Sequence, residues 1–107
     1  MANKTYLNSF LKQPYEVLPI SIDFSANMEP GETIDLGNST VAAINIADGE
    51  DVAATILENS SLAVVDDTKL TVLVKGGSDK NQYEITLRAY ISATKKLEED
   101  IRMIVRD

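Results

Sequence analysis

Three short runs in this 107-residue chain carry residue types that could do chemistry. The first is "GGSDKNQ", Gly76 to Gln82, whose glycines could turn backbone N–H groups toward a phosphate. That chemistry needs Gly-Lys-Ser/Thr opening a helix. Here the glycine pair stands between two segments of alternating apolar and polar residues, so the run reads as a turn closing a hairpin. The second is "DGEDV", Asp48 to Val52, where three carboxylates could attract calcium. A hard cation wants about 6–8 oxygens at set positions, and this run lacks that spacing, so it reads as a solvated turn. The third is "SATK", Ser92 to Lys95, with the S-x-x-K spacing of serine acyl-enzymes. That mechanism needs the serine at a helix start and two further motifs of a larger fold. Neither is present, and the spacing is coincidental. Asp66-Asp67 and Glu98-Glu99-Asp100 are poor acid–base pairs, because neighbours in an extended chain point to opposite faces.

Composition narrows the chemistry further. There is no His and no Cys. Ser-His-Asp and Cys-His catalysis cannot be built, and thiolate metal sites and disulfides are excluded. No cofactor or metal is expected. The net charge is −7, and the ten Lys and Arg are scattered. A nucleic-acid binder should present a basic stripe, and an anionic membrane should attract a basic surface, so neither is an expected partner. No apolar run approaches the roughly 18–20 residues of a membrane span. The opening "MANKTYLNSFLKQP" lacks the apolar stretch of a signal peptide. With four Tyr, two Phe and no Trp, stacking surfaces for sugars or bases are disfavoured.

The elements that would position any site are strands. In "EVLPISIDFS", Leu18, Ile20, Ile22 and Phe24 share one face, and Pro19 places the strand start at an edge. "NMEPGET" is a turn around Pro30-Gly31. "TIDLG" reads as a short strand, and "STVAAINIA" as a longer one with Ala42, Ile44 and Ile46 inward. "VAATILE" reads as a further strand broken by "NSS". After an Asp66-Asp67 corner, Leu70, Val72 and Val74 share a face. "QYEITLRAYIS" alternates throughout, with Tyr83, Ile85, Leu87, Ala89 and Ile91 on one side. Tyr83 either packs in the core or turns back to hydrogen-bond the connecting backbone. The end, "KKLEEDIRMIVRD", fits helical and strand spacing alike; the all-β context favours a strand over about residues 100–106.

About seven short strands, with turn signals roughly every 8–12 residues, predict an all-β fold, a β-sandwich of antiparallel strands. The expected division is an extended N-terminal arm, residues 1–14, and a sandwich domain, residues 15–107. The arm carries Tyr6, Leu7, Phe10 and Leu11 and ends at Pro14. It either packs over its own core or docks onto a neighbouring subunit, and those five residues are the candidate partner-binding set.

The order of elements resembles a family of small immunoglobulin-like structural proteins of tailed bacteriophages, some described as fibre-tail adaptors. The likeness rests on "FLKQPYEV", "ISIDFS", "PGETI", "VLVKGGSDKNQYEIT" and "IRMIVRD", taken in order. It departs in the middle, where "TVAAINIA" lacks the Trp that such proteins often carry. The resemblance implies an immunoglobulin-like sandwich and a non-enzymatic virion component. It further implies an adaptor in the neck or tail that binds other virion proteins in a symmetric, ring-like or homo-oligomeric assembly. The alternatives are a capsid decoration protein or a generic adhesion module.

Overall fold

The computed structural model describes residues 8–107, apart from the side chain of Asn59. Tyr6 and Leu7 lie outside the described residues. The strands form where apolar side chains fall at every second position. β5 (Lys69–Val74) buries Leu70, Val72 and Val74. β6 (Gln82–Ser92) buries Tyr83, Ile85, Leu87 and Ala89, and β7 (Lys95–Val105) buries Ile101, Met103 and Val105. β6 and β7 form an antiparallel hairpin with Tyr83 opposite Met103 and Ile85 opposite Ile101. That register puts both apolar sets on one face; a slip of one residue would turn one set outward.

The other strands are β1 (Asn8–Lys12), β2 (Leu18–Asp23), β3 (Thr40–Asn45) and β4 (Leu57–Val65). Among the described residues the seven strands make two sheets, ordered β1-β7-β6-β3 and β2-β5-β4. The expected all-β sandwich is what forms. Its core joins Leu70, Val72 and Val74 of the smaller sheet to Ile85, Leu87, Met103 and Val105 of the larger. Each such side chain contributes about 1.5–3 kcal/mol by leaving water. β2 pairs with β5 alone, so Pro19 does sit on an edge, where its missing N–H breaks no ladder. Residues 8–12, within the expected arm, form β1, which runs parallel to β7 while every other pairing is antiparallel.

Several local expectations are corrected. "TIDLG" is not a strand. Asp35 Oδ1 accepts from the Gly37 N–H at 3.0 Å and Ser39 Oγ donates to the Asp35 carbonyl at 2.7 Å, which winds Leu36–Asn38 into a 3-10 turn. The faces of β3 are reversed. Val41 lies opposite Leu87 and Ala43 opposite Ile85, so these point inward, while Ala42 and Ile46 are exposed. "VAATILE" is not a strand throughout: Ala53–Ile56 form one helical turn, α1, begun by the Asp51 carboxylate accepting from the Ala53 N–H at 3.0 Å. "NSS" does not break the chain's extension. β4 runs through it with a register shift between Glu58 and Ala63, and Ser61 Oγ accepts from the Leu73 N–H at 2.8 Å where a ladder bond is lost. The final strand begins at Lys95 and is not a helix. The segment around Gly76-Gly77 does not close a hairpin. β5 and β6 belong to different sheets, and this loop carries the chain across the sandwich.

Candidate interaction surface

Lys12 organises one end of the molecule. It is the last residue of β1 and only 1% exposed. Its Nζ donates to the carbonyls of Gln13 (2.8 Å), Pro14 (3.3 Å) and Gly76 (2.6 Å). A buried ammonium is costly unless its three donors find acceptors, and here all three do. Burial pushes its pKa below the ordinary lysine value, and the nearby Glu16 carboxylate opposes that shift.

The partner of Lys12 is held from the other side. Gly76 and Gly77 both have positive φ, and a Cβ on Gly77 would lie 2.7 Å from Val105 Cγ2. Only glycine fits this crossing between sheets. Tyr83, buried at the start of β6, accepts from the Ser78 N–H at 2.9 Å through its hydroxyl. It therefore packs in the core and also hydrogen-bonds the connecting backbone. Lys12 thus forms one lock with Gly76, Gly77 and Tyr83, more than sixty residues further along the chain, joining the first strand to the β5–β6 crossing.

The lock carries a short turn. Gln13 N–H donates to Glu16 Oε1 at 2.7 Å, and Glu16 N–H donates back to the Gln13 carbonyl at 3.1 Å. Tyr15 stands at the turn's crest, 96% exposed. Leu11 before it and Val17 after it are 67% and 56% exposed. Of the candidate residues named from the sequence, Leu11 therefore faces solvent. Phe10 is half-buried against the core and lines a shallow cleft of about 330 Å³ between β1 and β2. Pro14 is half-buried beneath the turn, where its carbonyl serves Lys12. Tyr15 and Val17 were not legible as surface residues, because "YEV" after a proline has no period. The one available signal was a large aromatic directly after Pro14, where a turn follows.

Elsewhere the polar groups are engaged in structure. On the outer face of β6–β7, Arg88 Nε meets Glu98 Oε1 at 2.6 Å, Thr86 Oγ1 donates to Asp100 Oδ1 at 2.6 Å, and Lys96 lies 5.6 Å from the Tyr90 ring centre. Arg88, Glu98, Tyr90 and Lys96 line a cleft of about 460 Å³, and all these pairs join β6 to β7 across the strands. Asp48 Oδ1 accepts from the Glu50 N–H at 2.9 Å, so the acidic run caps its own turn. Glu32 is held below the usual carboxylate range, first by its bond from Lys95 (2.8 Å) and then by one from the Glu29 N–H. Hydrogen bonds from Ser25 do the same for Asp23. Among the described residues no group of three or more His, Cys, Asp or Glu could hold a metal, and no helix is long and apolar enough to cross a membrane.

This geometry ties many of the described polar side chains into the molecule's own turns and strand pairs. A family model described as "Podophage GP4 fiber-tail adaptor protein gp77" matches residues 12–104. The chain belongs to that family. The match starts on Lys12 and covers the turn, both glycines, Tyr83 and nearly all of β7. Tyr6, Leu7, Phe10 and Leu11 precede it. The family is one of structural adaptor proteins of the bacteriophage tail. A search of the curated proteins finds no match.

Proposed function

We propose that this chain is a non-enzymatic structural adaptor of a podophage virion, joining fibre and tail proteins as one copy in a symmetric assembly. Its place is the particle, and its partners are other virion proteins. The family match over residues 12–104 carries this reading. The geometry supports it: both sheets end in edge strands, and one end presents exposed apolar residues on a braced turn. The strand order also favours an immunoglobulin-like sandwich. β2-β5-β4 and β7-β6-β3 follow the B-E-D and G-F-C orders of that fold, and Tyr83 holds the place of its tyrosine corner.

Within this reading, residues 1–14 carry the partner contacts through Tyr6, Leu7, Phe10, Leu11 and Pro14, with β1 held in the sheet and Phe10 and Pro14 offering only their exposed parts. The test is a phage lacking this gene, complemented either with the whole chain or with residues 8–107, which keeps β1 and Lys12. Electron microscopy counts fibres per tail, and mass spectrometry counts copies of the chain per particle. Without the chain, tails should lack fibres. Fully fibred tails would remove the adaptor role, and full incorporation of residues 8–107 would remove Tyr6 and Leu7 from the contact set.

A further inference from the structure

Among the described residues, large apolar side chains are left exposed at Leu11, Tyr15, Val17, Leu36, Ile46 and Val65. Three of the six fall within seven consecutive residues, on either side of one turn. That turn is braced from beneath by the three bonds of Lys12 and across its mouth by the Gln13–Glu16 pair. An aromatic ring held fully in water on a braced backbone costs little to immobilise on binding. Interfaces use Tyr in this way, as a rigid anchor entering a pocket.

The surroundings indicate what the pocket looks like. The same end of the molecule holds the loop after β3, which pairs back onto it through Asn45, and the β5–β6 crossing, which Lys12 touches. These segments expose Asp48, Glu50, Asp51 and Asp79, with Asp107 beside Asp79. Lys80 and Arg106 are the exposed cations there. The whole chain carries −7. A second copy would meet this end with like charge, which disfavours self-association. We infer that Tyr15 is the anchor by which this adaptor docks onto a different virion protein, one offering an apolar pocket with a basic rim. Leu11 and Val17 flank the anchor and exclude water around it. The inference rests on the adaptor reading and adds to it the residue and the chemistry of the partner.

The probe is the phage tail particle assembled without this chain. Purified chain is mixed with particles, the particles are pelleted, and bound chain is quantified. Tyr15→Ala should weaken binding about ten-fold or more, as loss of a buried aromatic anchor does, while its far-UV circular dichroism and melting midpoint match the native chain. Tyr15→Phe, which keeps the ring, should retain most of the binding. Raising NaCl should weaken native binding, because the screening length falls from about 10 Å at 0.1 M to about 3 Å at 1 M. Tyr15→Ala that pellets like the native chain overturns the inference and leaves the adaptor reading standing. Native chain that does not pellet overturns both. Salt-independent binding removes the basic rim. A stable oligomer of the isolated chain that Tyr15→Ala dissociates would seat a second copy on the turn, and that outcome also overturns the inference.

Discussion

Lys12→Met separates the two roles of the buried lysine. Met keeps most of the apolar stem but removes three donors and the charge. Of the three carbonyls released, Gln13 O still accepts from the Glu16 N–H, and Pro14 O had only a 3.3 Å contact. The loss therefore falls mainly on Gly76 O, whose bond is 2.6 Å and lies between two sheets. An unsatisfied buried acceptor costs about 1–3 kcal/mol, so Lys12→Met should lose about that much. Lys12→Ala also removes three buried methylenes, at about 0.8 kcal/mol each, and should lose clearly more. Urea melts measure both: the midpoint should fall with the slope unchanged, as for a stability change within one fold. The pH dependence gives a second reading. Burial lowers the folded pKa below the 10.5 of a free lysine. Between those two values the unfolded chain holds the extra proton, so this group makes stability rise with pH across that window. The advantage of the native chain over Lys12→Met should therefore widen as pH rises through that window and stay flat at neutral pH. A Lys12→Met protein as stable as the native chain at pH 7 would refute the lock, because the penalty of burying the charge would then cancel its bonds.

The reversed faces of β3 give a paired test: Ala43→Leu, buried opposite Ile85, should cost about 1–3 kcal/mol by overpacking, while Ala42→Leu on the exposed face should stay within about 0.5 kcal/mol in the same melts. Gly77→Ala combines a 2.7 Å clash with Val105 and a left-handed backbone, and a loss of about 1–3 kcal/mol is expected. Glu32 has its folded pKa lowered from 4.5 by Lys95, so its contribution is present above pH 4.5 and is lost as pH falls through the folded value. Glu32→Gln should therefore differ from the native chain at neutral pH and converge with it in acid, by thermal melts across that range.

Strands with one strongly apolar face were legible in the sequence, and the reason is physical. In β5 and β6 the inward positions hold only apolar residues or Tyr83, while the outward ones are mostly polar, with Leu73 and Tyr90 the exceptions, so one register buries far more apolar surface than the other. β3 offered no such contrast. Both of its faces are apolar, and the smaller set, Val41 and Ala43, fits against Ile85 and Leu87 while the bulkier Ile44 and Ile46 point away. Pairing with β6 decided this, and pairing is not written in the strand itself. The serines of β4 read as a break because the bond that rescues the bulge comes from Leu73, twelve residues on. The glycine pair was legible as a turn but not as a crossing, since turn chemistry does not say which sheet the next strand joins. At the interaction surface, Leu11 could be named because it stands among other large apolar residues. Tyr15 could not, because its exposure depends on a brace assembled from Lys12, Gly76 and Glu16.

The first strand and the last lie side by side and point the same way, with five residues of each in register from Asn8↔Ile101 to Lys12↔Val105. Tension entering ahead of β1 and leaving beyond β7 would pull them lengthwise past each other. In that geometry the bonds between them bear the load together and must rupture as a set, whereas strands peeled from one end give way one bond at a time. Loaded in that direction, the fold would resist being unzipped from either end of this pair.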